Sequence, residues 1–320
     1  AKGSPNLKRY AEIYTQRVAD QQYTTDNHDV GFILMCSFGN GYRLTKTPSY
    51  VPILLNGAQS LSTRFKPVVG LIRSWDTKTD KWRYPVIIDN MMNLELLEWA
   101  AQHSDSTKFA KIASSHAKLT MKNHFRKDFS SYHVIGYDPE TGQVEKRNTH
   151  QGYAHESAWA RGQAWGLYGY TMMFRETGDS SYLHHAKGIA RFIMSHPNMP
   201  KDKVPYWDFN APDIPHAKRD ASAAAIMASA FIELSTLTKE DPDFSKQCLN
   251  MAEMQLRSLT SAEYLAKKGT NGGFILMHSV GNLPKGTEVD VPLTYADYYY
   301  VEALVRYKKM VLGTLKGKKN

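Results

Sequence analysis

Apolar residues recur along much of this chain with the 3.6-residue period of a helix buried on one side. Phe109, Ile112, Ala113, His116 and Thr120 share one face of a helix predicted near 106–123. Leu183, Ala186, Ala190 and Ile193 do the same near 180–195, where Asp179 or Ser180 suits the N-cap. Phe244, Cys248, Ala252 and Leu259 do so near 243–260. There Asp241-Pro242 sets a capping residue before a proline at the first helical position. These three segments are expected to be outer, one-sided helices.

Between them lie segments that are apolar or small on all sides: 29–43, 89–102, 157–176, 219–237 and 293–310. Such helices are usually buried on most faces. Gly166, Gly169 and the run Ala223, Ala224, Ala225 leave room for close packing. Wrapped-in helices alternating with one-sided ones predict concentric layers of helical hairpins, an all-α toroid. No linker divides the chain, so a single domain over 1–320 is expected. The connections at 71–85, 125–154 and 203–218 are long and aromatic. Within them Tyr132-His133-Val134-Ile135 alternates like a strand, and Asp138-Pro139-Glu140-Thr141-Gly142 reads as a turn. Long loops on a rigid scaffold commonly carry function.

Composition narrows the picture. With 42% hydrophobic and 22% charged residues over 320 positions, the chain reads as an ordinary folded soluble protein. No apolar run approaches the ~18 residues of a membrane span. Cys36 and Cys248 are too few for a disulfide scaffold and are read as free buried thiols. The compartment, periplasmic or cytoplasmic, stays open, as does the oligomeric state. The net charge of +9 is spread along the chain, without a basic stripe or a nucleic-acid motif. A solvated basic surface or an anionic small substrate explains it better than nucleic acid does. The sequence starts at Ala1 without Met or a signal-like segment, which reads as a processed, tagged or truncated N-terminus, and it ends in a basic tail at Lys316, Lys318 and Lys319.

Several residues can carry chemistry. In Val86-Ile87-Ile88-Asp89-Asn90-Met91-Met92-Asn93 a strand-like run delivers one carboxylate to the start of a buried helix. On spacing alone Asp89 is a helix cap. Its apolar surroundings, however, are those that raise a carboxyl pKa toward the range of a general acid. His28-Asp29-Val30-Gly31-Phe32 places a second carboxylate at the start of another inner helix, on the same face of a toroid. Arg161 and Trp165 are four residues apart and share a helical face, one suited to gripping a carboxylate and the other to supporting a sugar ring. The alternative is a core tryptophan with a satisfied arginine. Trp75 and Trp207, each followed by an aspartate in a long loop, suit sugar stacking or plug the core. No phosphate loop, dinucleotide fingerprint, His-Glu-x-x-His or nucleophile elbow is present, and His184-His185 is not read as a metal site. No metal and no cofactor are expected.

Taken together, these residues resemble the unsaturated glucuronyl hydrolases of glycoside hydrolase family 88. The blocks that carry the resemblance are His-Asp-Val-Gly-Phe at 28–32, Ser-Trp-Asp at 74–76, Ile-Ile-Asp-Asn-Met-Met-Asn at 87–93 and Thr-His-Gln-Gly at 149–152. They continue with Trp-Ala-Arg-Gly-Gln-Ala-Trp at 159–165, Tyr-Trp-Asp-Phe at 206–209, Arg-Asp-Ala-Ser-Ala at 219–223 and Asp-Tyr-Tyr-Tyr at 297–300. The resemblance implies an (α/α)6 barrel. It also implies hydration of the C4=C5 bond of a terminal unsaturated uronic acid on an anionic di- or oligosaccharide. Under it Asp89 is the acid/base and Asp29 its supporting carboxylate, with His133 and Gln151 as further catalytic contacts. Trp75, Thr149, Arg161, Trp165 and Ser279 become substrate-binding positions. Arg147 stands where the family often has a small residue; it either meets a sulfate or second carboxylate as a substrate-binding position or is a solvated loop arginine.

The chain is read as entering the family pattern at an outer helix near 6–23, so five complete inner helices are counted and the first inner helix is absent. Two rival readings stand beside this one. The first is an unsaturated rhamnogalacturonyl hydrolase acting on pectin fragments, and the second is a non-catalytic binder of anionic glycans.

Overall fold

A computed structural model describes residues 4–76 and 81–313, which form two compact units. The first takes residues up to 123 together with 135–146, and the second takes 124–134 and 147 onward. The basic tail at Lys316, Lys318 and Lys319 lies outside the described residues.

In the first unit α1 (Pro5–Gln16) begins at Ser4, with proline at its first position and no buried residue. Next, α2 (Val30–Leu34) passes through a π-helical turn, Met35–Gly39, into α3 (Asn40–Thr45). The wrapped segment expected at 29–43 is thus helical but not wound uniformly. After α4 (Tyr50–Ser62), strands β1 (Phe65–Lys66) and β2 (Leu71–Ile72) pair antiparallel. The strand β3 (Tyr84–Ile87) then runs into a 3-10 turn, Ile88–Asn93, before α5 (Leu94–Gln102). The sequence expectation of a helix from 89 is therefore corrected: the bulky run Ile88 to Met92 is wound more tightly, and the α-helix starts five residues later.

The outer helix α6 is Lys108–His124, and its predicted stripe is buried at Phe109, Ile112, Ala113, His116 and Thr120. Strands β4 (Val134–Tyr137) and β5 (Val144–Asn148) complete a three-stranded sheet in the order β3-β4-β5. Their connection is the predicted turn. Asp138 Oδ1 accepts the N–H groups of Glu140 at 2.7 Å and Thr141 at 3.1 Å, while Gly142 takes the positive φ of 73°. Apolar burial of Val30, Leu34, Leu54, Leu61, Leu94, Leu96 and Leu97 holds α2, α4 and α5 together.

The second unit is built from longer hairpins. Helix α7 (Ala160–Thr177) is buried from Ala160 to Met173, and α8 (Ser180–Ser195) returns on its outer side, capped by Asp179 as expected. Helix α9 (Ala221–Leu237) is buried from Ala221 to Ser235 and packs on α7, on α10 (Pro242–Leu259) and on α11 (Thr294–Arg306). Its alanines remove the bulk that would keep four helices apart. Between α10 and α11, β6 (Ser279–Asn282) and β7 (Thr287–Val291) form an antiparallel ribbon with a register shift after Ser279.

A carboxylate buried between these helices is doubly paired. Glu233 on α9 is paired with Arg175 on α7 at 2.7 Å and with Arg306 on α11 at 2.9 Å. Burial pushes its carboxyl up, but the two guanidinium charges outweigh this and hold it below the ordinary carboxylate value. Trp207 is buried against Tyr206, Ala211, Ala217 and Val280, so it plugs the core. Cys248 is a buried free thiol pushed up to about 12 by burial, and Cys36 is half-buried. Among the described residues no cluster of three metal-ligating side chains occurs, and no helix is long and apolar enough to cross a membrane.

Candidate active site

The two sequence-predicted carboxylates both belong to the first unit, and neither is used as a cap. Asp29 occupies the N-cap position of α2, yet its side chain accepts no capping hydrogen bond. Asp179, Asp220 and Asp241, at the starts of α8, α9 and α10, each do. The cap of α2 comes from elsewhere: Asn93 Oδ1 accepts the Phe32 N–H at 2.7 Å. Gly31 makes that approach possible, because a Cβ there would stand 2.4 Å from the Asn93 carbonyl oxygen. The Asp29 carboxylate is left half-exposed, with Oδ1 at 3.3 Å from His28 Nε2. His28 Nδ1 lies 2.7 Å from the Ser74 carbonyl, which can only accept, so Nδ1 carries the hydrogen.

Asp89 is half-buried inside the 3-10 turn, whose cap position is Ile87, while Asn93 occupies that of α5. Both sides of it are anchored. Asn90 is fully buried, donates to the Ile72 carbonyl at 2.7 Å and accepts from Ser74 Oγ at 2.8 Å; that hydroxyl in turn receives the Ile87 N–H at 2.8 Å. Trp75 follows Ser74, half-buried, edge-on to Trp82 with ring centres 5.8 Å apart and bridged through its backbone to Asn27. Asp76 is tied to Arg64 and Arg73, each at 3.2 Å. The 28–32, 74–76 and 87–93 blocks are thus one hydrogen-bonded assembly.

In the second unit the Thr-His-Gln-Gly block is a turn wrapped on His133. His133 Nδ1 accepts the N–H groups of His150 at 3.2 Å and Gln151 at 3.1 Å. An acceptor Nδ1 places the neutral ring's hydrogen on Nε2. Thr149 Oγ1 accepts the Gly152 N–H at 2.8 Å, and a Cβ on Gly152 would lie 2.7 Å from that oxygen. Gln151 Nε2 donates to the Gly281 carbonyl at 3.0 Å.

Arg161 is buried and already held. Its guanidinium donates to Asp220 Oδ2 at 3.1 Å, to the Val280 carbonyl at 2.5 Å and to the Gly281 carbonyl at 2.7 Å, and it lies over the Trp159 ring. Ser279 begins the strand that Arg161 and Gln151 hold; it is fully buried, and its Oγ has no hydrogen-bond partner in this structure. Trp165 is 5% exposed and packs on Tyr299. Arg147 is exposed, 5.8 Å above the Tyr132 ring.

Sequence reading missed three positioning groups. Asn93 was legible only as part of a motif. Asp220 lies in the 219–223 block, where serine two residues on signals a cap. Asp208 is fully buried and ties together Tyr153 N at 2.9 Å, Ser157 Oγ at 2.7 Å and Asn210 N at 2.9 Å. Burial leaves its carboxyl above the ordinary value despite those donors.

No protein-family profile matches the chain. It is 47% identical over 311 residues to an unsaturated glucuronyl hydrolase of Formosa agariphila, spanning 97% of this chain and 76% of that protein. A crystal structure of an unsaturated glucuronyl hydrolase specific for heparin superposes with a TM-score of 0.92 at 52% identity, covering 96% of this chain and 81% of the other. A variant of the Streptococcus agalactiae enzyme complexed with dGlcA-GalNAc6S does so with a TM-score of 0.79 at 30% identity, covering 96% of this chain and 76% of the other. The helical hairpins read from the apolar pattern have the α/α-barrel fold of these proteins. By sequence over almost its whole length and by fold, the chain belongs to the unsaturated glucuronyl hydrolase family.

Proposed function

We propose that this glycosidase, which removes unsaturated uronic acid from oligosaccharides, works by hydrating the C4=C5 bond, with Asp89 as acid/base. The observation that carries the assignment is the release of Asp29 from its helix beside the anchored 3-10 turn that presents Asp89. Asp89 donates its proton to C4, and positive charge develops at C5 and the ring oxygen. Asp29 favours that charge. Asp89 then takes a proton from the water that adds at C5, so the enzyme ends as it began. The C5 hemiketal opens, leaving a ketone at C5 and a hemiacetal at C1, and collapse of the hemiacetal expels the neighbouring sugar. One positioned acid/base is worth roughly 10²–10⁴-fold.

His133, with its hydrogen on Nε2, and Gln151 are assigned as further catalytic contacts. Trp75, Thr149, Trp165 and Ser279 are assigned to the sugar, Ser279 supported by its buried, unpartnered hydroxyl. Arg161 also touches substrate in this reading, though its bonds to β6 make positioning its larger task. Arg147 is assigned to a sulfate or second carboxylate. The substrate is an unsaturated anionic di- or oligosaccharide, and residues 1–320 act as one catalytic domain.

Loss of the enol-ether ultraviolet absorbance tests the reading on heparin-, chondroitin- and pectin-derived unsaturated disaccharides. The wild type should consume at least one of the first two, and Asp89→Asn should leave only a residual rate. Undiminished decay in Asp89→Asn would sink the assignment. Consumption of the pectin fragment alone would favour the rhamnogalacturonyl reading, and binding without decay a glycan-binding protein.

A further inference from the structure

We propose that Asn93 is a positioning residue: by capping α2 from a distance it keeps the Asp29 carboxylate from being consumed as a local helix cap. This deepens the catalytic reading of Asp29 and rests on it.

The comparison is internal to the chain. Asp179, Asp220 and Asp241 hold N-cap positions with ψ of 110°, 93° and 79°, and each accepts an N–H two or three residues ahead. Asp29 holds the same kind of position with ψ of 0° and accepts nothing. Of the N–H groups two and three residues on, that of Phe32 is already held by Asn93 Oδ1 at 2.7 Å. An orphan helix N–H takes the nearest acceptor. With Asn93 in place that acceptor is not Asp29.

Asn93 is 1% exposed, and Gly31 lets its backbone approach so closely that no Cβ fits between. It also closes the 3-10 turn that contains Asp89. One carboxamide therefore sets the side-chain freedom of Asp29 and ties α2 to the turn that presents Asp89.

A four-protein cycle tests this: wild type, Asp29→Ala, Asn93→Ala and the double variant, measured for Tm and for kcat and KM. In Asn93→Ala, Asp29 should turn to cap Phe32. Its Tm should change little, while kcat falls on the order of 10²-fold with KM nearly unchanged. Asp29→Ala alone should also leave Tm near wild type, because Asp29 caps nothing. The double variant has no cap and should lose roughly 2 °C or more beyond the sum of the single changes. Its kcat should match that of Asn93→Ala. Additive Tm effects, or wild-type kcat in Asn93→Ala, overturn the proposal.

If Asn93→Ala does not fold, Asn93→Asp keeps an acceptor for the Phe32 N–H, and Asp29→Ala should cost the same factor in kcat there as in wild type. Loss of that effect in Asn93→Asp would also overturn the proposal. Wild-type kcat in Asp29→Ala would sink the catalytic reading of Asp29, while the Tm cycle would still report the exchange of caps.

Discussion

Replacing Arg161 separates two tasks that its position allows. Arg161 is 2% exposed, and its guanidinium makes charge-assisted bonds to fully buried Asp220 and to two carbonyls of β6. Arg161→Ala leaves the Asp220 carboxylate buried with its cap donors at Ser222 and a long bond from the Val280 N–H at 3.4 Å, and breaking a buried pair in this way costs about 3–5 kcal/mol. Arg161→Lys keeps the charge but not the fork. It should lose one or two bonds to a charged group, at about 1.5–3 kcal/mol each. Arg161→Met combined with Asp220→Asn should recover much of the loss, because it removes both charges and asparagine still caps α9.

Urea unfolding followed by tryptophan fluorescence gives the stability arm, and kcat and KM on the same proteins give the other. If Arg161 chiefly positions β6 and Ser279, the unfolding midpoint falls in both single variants and is only partly restored in the double. A wild-type midpoint in Arg161→Lys with KM raised tenfold would refute this and make the guanidinium a grip on substrate.

Two further outcomes follow from the same geometry. His185 is buried and pushed down to about 3, first by burial and then by His184, so the folded state holds it neutral. A depressed folded value means its contribution to stability is present above about 6.5 and is lost as pH falls toward 3, at up to about 1.4 kcal/mol per pH unit. Urea midpoints from pH 7 to 4 should therefore drop, and less steeply in His185→Gln; equal slopes would show that His185 is not the group. Gly152→Ala puts a Cβ 2.7 Å from Thr149 Oγ1 and 3.0 Å from Asp208 Oδ2, so it should cost about 1–3 kcal/mol and lower kcat by moving the turn off His133. Unchanged unfolding and kinetics would show that the turn gives way freely.

Local features of this protein were written in its sequence. The stripes of α6, α8 and α10, the caps at Asp179 and Asp241 and the turn at Asp138 each depend on residues a few positions apart, so pattern and propensity sufficed. The motif blocks at 28–32, 74–76 and 87–93 also fold into one hydrogen-bonded assembly. Tertiary structure decided which partners their side chains meet. By spacing, Asp29 and Asp89 are helix caps; Asp29 makes no cap bond, and the N–H of Phe32 is taken instead by Asn93, 61 residues further along the chain. Arg161 looked free to hold a carboxylate, and it is occupied by Asp220, 59 residues away, and by carbonyls 119 and 120 residues away. A helix period is set by neighbours in sequence, whereas the competition for a buried donor or charge is settled by whichever partner folding brings nearest.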